Sequence, residues 1–131
     1  MTAVVENLWV VRPSGDGQEL ISFLGVTVGS IMWVRELRYP SICRIRIAQG
    51  LDGYRPDRSR VAWTARPFAG SDSVWLISHN GVEIGELRWF EGVLDRSADG
   101  VLAGLNMLAD GRHPFACEPM PVTRPHLTVV R

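Results

Sequence analysis

Seven of the chain's fourteen arginines (Arg38, Arg44, Arg46, Arg55, Arg58, Arg60 and Arg66) fall within one stretch, against two acids there, Asp52 and Asp57. A guanidinium fork donates two parallel hydrogen bonds to a phosphate or carboxylate, and its plane stacks on an unpaired base. The chemistry this stretch offers is therefore recognition of an anion. The sequence contains no lysine, which excludes a Schiff base, a Walker-type phosphate lysine and a nuclease built on lysine. His79, His113 and His126 are scattered, and Cys43 and Cys117 are too few and too far apart for a zinc framework. Glu83, Glu86, Glu91, Asp95 and Asp99 form an acidic run without the spacing of a cation loop. No nucleophile, base and orienting group can be assembled from the order of residues. The chain is expected to be no enzyme and to hold no metal or cofactor.

The formal net charge is zero, yet residues 1–37 sum to −2, 38–66 to +5, 67–118 to −5 and 119–131 to +2. Such a balance argues against a general polyanion binder while leaving room for one local basic face. With 131 residues, 46% of them hydrophobic and 21% charged, a single globular domain is expected over 1–131. The most apolar run, "LISFLGVTVGSIMWV" at 20–34, is shorter than the roughly 20 residues of a bilayer span. It also carries Ser, Thr and Gly, and no leader pattern opens the chain, so no membrane partner is expected.

The elements that must position the arginines read mainly as strands. "VVENLWVVR", the turn residues "PSGDG" and "QELISFL" predict a hairpin over 4–24. "IMWVRELR" at 31–38 is compatible with helix or strand, and the Tyr39-Pro40 step disfavours a helix running through it. "ICRIRIA" at 42–48 alternates, with Cys43, Ile45 and Ile47 opposite Arg44 and Arg46, which predicts a strand whose thiol is buried and inert. "RVAWTAR" sets Val61, Trp63 and Ala65 opposite Arg60, Ala62, Thr64 and Arg66. Asn80-Gly81 predicts a tight hairpin turn inside "SVWLISHNGVEIGELRWF", and a change of apolar parity predicts a β-bulge at Gly85. The sheet is expected over 31–90. Val101, Leu102, Leu105 and Leu108 share one face of a helix predicted over 97–110, with Ser97 as its N-cap. A proline-rich extended tail takes 112–131. No internal repeat is evident. The fold class is α+β, and one short helix leaves much of the sheet's apolar face to be covered, most economically by a second copy.

This order of elements resembles the coat proteins of single-stranded RNA bacteriophages, the levivirus type, from Asn7 to about Pro114. The resemblance places "NLWVVRPSGDGQELISFL" as the N-terminal hairpin. "IMWVREL", "SICRIRIAQ" and "RSRVAWTARP" become strands of a five-stranded antiparallel sheet, and "GELRWFEGVLDRSADGVLAGLNMLADG" runs into a C-terminal helix. The resemblance implies a homodimer in which that helix packs on the partner's sheet. Val101, Leu102, Leu105 and Leu108 would meet apolar strand positions such as Val61 and Trp63. It implies a virion protein, assembled in the host cytoplasm into an icosahedral shell. Stem-loops of single-stranded RNA would be bound on the sheet face bearing Arg44, Arg46, Arg60, Ala62, Thr64, Arg66 and Arg88. Two departures from the family are visible: prolines where a second helix stands, and a face of arginine where lysine and small polar residues are usual.

Two plainer readings accompany this one. The arginines can be the wet face of a half-buried sheet. Alternatively the chain is a small non-enzymatic α+β inhibitor or immunity-type module whose arginine face meets an acidic protein. The five tryptophans, at 9, 33, 63, 75 and 89, are expected in the core or at an interface.

Overall fold

Two turns of matching geometry organise the chain. At Leu24-Gly25 φ is 52° and 84°, and at Asn80-Gly81 it is 50° and 85°, so both pairs sit in the left-handed region that a type I′ turn requires. The computed structural model of the protein describes residues 8–53, 61–90, 97–106 and 119–120. Around the first turn, β1 (Trp9–Pro13), β2 (Gln18–Phe23) and β3 (Val26–Trp33) form a meander that leads into α1 (Pro40–Leu51). Around the second, β4 (Trp63–Pro67), β5 (Val74–His79) and β6 (Val82–Trp89) form another, leading into α2 (Asp99–Leu105). The meanders join through β3 and β6 into one six-stranded antiparallel sheet of order β1-β2-β3-β6-β5-β4.

The α+β class and the antiparallel sheet are as the sequence predicts, as is the hairpin turn at Asn80-Gly81. The bulge is present too: Ile77 faces Gly85 and Ser78 faces Glu83, leaving Ile84 unmatched. Three expectations are corrected. The N-terminal hairpin is one edge of the six-stranded sheet, not a unit beside a five-stranded one. The stretch 42–48 is not a strand but the body of α1. Its buried residues are Cys43, Ile47 and Gly50, a helical stripe, while Ile45 is exposed. No helix runs through the Tyr39-Pro40 step, as expected, and Pro40 opens this one, because a proline at the first helical positions gives up an N–H that needs no partner there. The predicted helix 97–110 is described as Asp99–Leu105 and its N-cap is Ala98, not Ser97, which lies one residue earlier and whose Oγ accepts from the Asp99 amide at 3.0 Å. Leu108 and all of the tail except Pro119 and Met120 lie outside the described residues.

The third correction concerns repetition, because the chain is a β-β-β-α unit used twice. "WVVRP" at 9–13 answers "WTARP" at 63–67, 54 residues on. Leu20-Ile21-Ser22, Gly25-Val26, Gly29 and Trp33 recur 56 residues on as Leu76-Ile77-Ser78, Gly81-Val82, Gly85 and Trp89. Details of the backbone repeat as well. Ile21 faces Gly29 with a register shift after it, as Ile77 faces Gly85. The Val34 amide donates to the Ile84 carbonyl at 2.7 Å, and the Phe90 amide to Val28 at 2.9 Å. At the seam Ile31 pairs with its own counterpart Leu87, so a local two-fold axis passes through that pair.

The packing obeys the same axis. A Cβ on Gly29 would come within 2.6 Å of Trp89 Cε3, and one on Gly85 within 2.7 Å of Trp33 Cε3. Each unit's indole therefore rests on the other unit's glycine. Trp9 stacks beside Phe23 (4.7 Å between ring centroids) and near Trp89 (6.5 Å), while Trp63 sits beside His79 (4.8 Å) and near Trp33 (6.1 Å). Above the sheet, Gly50 abuts the backbone of Gly100 and Gly104, and Gly104 abuts that of Arg46 and Ile47. The two helices thus touch main chain to main chain. Ile47, Cys43, Val101 and Leu105 reach down from them into one core with Ile21, Ile31, Ile77 and Leu87.

This crossing yields a prediction of inverted sign. Helix propensity alone makes Gly104→Ala stabilising by about 1 kcal/mol. Here the new methyl overlaps the Arg46 carbonyl, so Gly104→Ala is expected to destabilise by about 1–3 kcal/mol, read as a lowered urea midpoint. Gly50→Ala behaves likewise.

Candidate functional site

Strand alternation divides the arginines between the two sides of the sheet. Trp9 and Val11 of β1, Ile31 and Trp33 of β3, Leu87 and Trp89 of β6, and Trp63 of β4 point toward the helices, as does Trp75, paired with Leu87. The other face carries the intervening residues in two cross-strand rows. One runs Arg12, Leu20, Ser30, Arg88, Val74, and the next runs Gln18, Met32, Glu86, Leu76, Arg66. With strands about 4.8 Å apart, Arg12 and Arg88 stand roughly 14 Å from each other across three strand spacings. Among the described residues this face bears three guanidinium groups and two carboxylates: Glu86, which pairs with Arg88 (Nη2 to Oε2, 2.6 Å), and exposed Glu83, which stands one row further on beside Ser78 and Thr64. Arg12, Arg66, Arg88, Thr64, Met32 and Val10 are all exposed.

The residues predicted to meet RNA are not brought together. Thr64, Arg66 and Arg88 lie on this open face. Arg44 and Arg46 belong to α1, on the covered side of the sheet. Arg44 Nε donates to Glu19 Oε1 at 2.7 Å, and Arg46 Nη1 to Gln49 Oε1 at 3.3 Å. Ala62 leads into β4, where its amide and that of Trp63 both donate to Asn106 Oδ1 (2.7 and 2.9 Å). Arg60 lies outside the described residues. Arg12 and Met32 join the face although the sequence reading passed over them. Arg12 carried the signal in its alternation with Val11, and the homology of "WVVRP" with "WTARP" makes it the counterpart of Arg66.

Of the residues assigned to a dimer interface, Val101, Leu105 and Trp63 are buried within one chain, and Leu102 packs against the same core. Their burial is accounted for without a second copy, because α1 supplies the missing cover. Val61 is exposed, and Leu108 lies outside the described residues. Among the described residues no cluster of His, Cys, Asp and Glu is suited to a metal, and no helix is long and apolar enough to cross a membrane.

A second feature lies at the end of the sheet on the helix side. A cleft of about 510 Å³ opens between the turn at residues 14–17, the segment after Trp33 and the first turns of α1. Its floor is the Glu19–Arg44 ion pair, whose side chains are 6% and 22% exposed.

Comparison of the chain with protein families, with curated proteins and with solved structures finds no match in any of the three. The order of elements that carried the resemblance to phage coat proteins also differs from the fold, since α1 stands where that order needs a strand.

Removal of one partner from a buried ion pair leaves a charge with no compensation. Arg44→Ala is expected to cost about 3 kcal/mol in chemical denaturation, whereas Arg88→Ala, which breaks the exposed pair with Glu86, costs under about 1 kcal/mol.

Proposed function

We propose that this chain is a non-enzymatic binding module that docks an acidic protein partner on the open face of its sheet. The observation that carries the reading is the composition of that face. Arg12, Arg66 and Arg88 surround exposed Met32, with Glu86 among them and Glu83 one row beyond, so guanidinium groups exceed carboxylates on this face. Arginine and methionine are enriched at protein interfaces, where guanidinium groups offer both charge and flat apolar surface. Single-stranded RNA asks for something further, namely aromatic side chains on which splayed bases stack. All five tryptophans point to the other side of the sheet. Shell assembly around RNA would share Arg66 and Arg88 of this face and is the competing outcome of the same experiment.

That experiment is purification from the native host at low salt, followed by mass spectrometry of co-eluting material and reconstitution from purified components. The reading predicts a discrete complex with an acidic protein, weakened by salt and abolished by Arg12→Glu, Arg66→Glu and Arg88→Glu together. A large particle holding nuclease-protected RNA, or a complex indifferent to the triple substitution, overturns it.

A further inference from the structure

The two units share their scaffold, so a feature confined to one of them is not demanded by the fold. The Glu19–Arg44 pair is such a feature. By the shift that superposes β2 on β5, Glu19 corresponds to Trp75, and by the shift that superposes Gly50 on Gly104, Arg44 corresponds to Ala98. In the second unit an indole and a methyl stand where the first has a carboxylate and a guanidinium. The first unit spends burial of two charges on this place, which costs stability relative to an apolar pair of similar volume, and a cleft opens above it.

We propose that this cleft binds a small zwitterion of the α-amino-acid class, with the ligand's carboxylate on Arg44. Only Nε of Arg44 is engaged among the described residues. Glu19, itself 4% exposed, thus fixes the plane of the guanidinium and leaves both Nη groups to bond a carboxylate as a fork. The walls carry both signs of charge: Arg35 besides Arg44, and Asp16 and Glu36 besides Glu19. Acids exceed bases by one, which disfavours a dianion such as phosphate. A ligand carrying an ammonium and a carboxylate satisfies both sets. Trp33 supplies an apolar wall, and the volume falls within the ~300–1,000 Å³ of ordinary small-molecule sites. This site is separate from the open sheet face, so it stands or falls independently of partner docking there.

The test is calorimetric titration of the full chain with each of the twenty common L-amino acids. The tightest binder is then compared with its decarboxylated amine and with inorganic phosphate. At least one amino acid is expected to bind with a Kd below about 1 mM, and loss of its carboxylate to weaken binding by about tenfold or more. The double variant Glu19→Trp/Arg44→Ala, which imports the second unit's residues, is expected to fold and to lose binding. Arg44→Lys, which keeps the charge but not the fork, is the second variant should the first fail to fold, and it too is expected to weaken binding. Absence of binding by any amino acid, equal binding of phosphate, or binding that survives in the variant that folds overturns the proposal.

Discussion

At the middle of the sheet an indole from one strand occupies the space that a side chain would take on the next. Trp33 covers Gly85 and Trp89 covers Gly29, and both pairs lie across the β3–β6 seam that joins the two β-β-β-α units in the sheet. Glycine is required because any Cβ would strike the ring, and the large ring is required because a glycine pair would leave a void in a close-packed layer. Neither half of this arrangement closes alone, since each unit supplies the ring for the other's gap. The neighbouring packing follows from it. Trp9 and Trp63 flank the two central rings at 6.5 and 6.1 Å. The helices cross above at Gly50 and Gly104, close enough to seal the layer with short side chains.

Committing every tryptophan to that layer decides the character of the opposite face. Its strands are left with arginine, glutamate, methionine, serine, threonine and aliphatic residues, and none of the five indoles on which bases could stack. Duplication also separates scaffold from specialisation. The turn glycines, the covered glycines, the seam tryptophans and the Leu-Ile-Ser triplets are common to both units. What differs is what faces outward or lines a cleft: Met32 against Arg88, Ser30 against Glu86, Glu19 against Trp75. The fold is carried by the identities.

Much of this was legible in the sequence, and the failures have physical causes. The Asn80-Gly81 turn announces itself because both residue types tolerate positive φ, whereas its counterpart is hidden by Leu24, which does not. The expected parity holds within β4, where Thr64 and Arg66 lie opposite Trp63 and Ala65, but not before it, where Val61 is exposed and Ala62 packs against the core. The stretch 42–48 deceived because Cys43 and Ile47 lie four apart, a spacing that serves the period of a strand and of a helix alike. Pro40 at its head and Gly50 seven residues beyond Cys43 held the distinction. Reading it as a strand put Arg44 and Arg46 on the wrong side of the sheet and left out α1, which covers part of the apolar face within one chain. The repeat is hidden because the β4–β5 connection is two residues longer than β1–β2, moving the offset from 54 to 56, while the interval from Trp89 to Gly104 is two positions shorter than that from Trp33 to Gly50, which moves it back.

The account rests on the local two-fold packing, and the most direct measurement of it is a nuclear Overhauser spectrum of the full-length protein in solution. The fold predicts contacts from the Trp33 ring to Gly85 Hα and from the Trp89 ring to Gly29 Hα. It also predicts contacts between Gly50 and Gly104, with helical backbone shifts over Pro40–Leu51. Cross-strand contacts from residues 42–48 to 61–66, with extended-chain shifts and no contact between the two helix glycines, would contradict it.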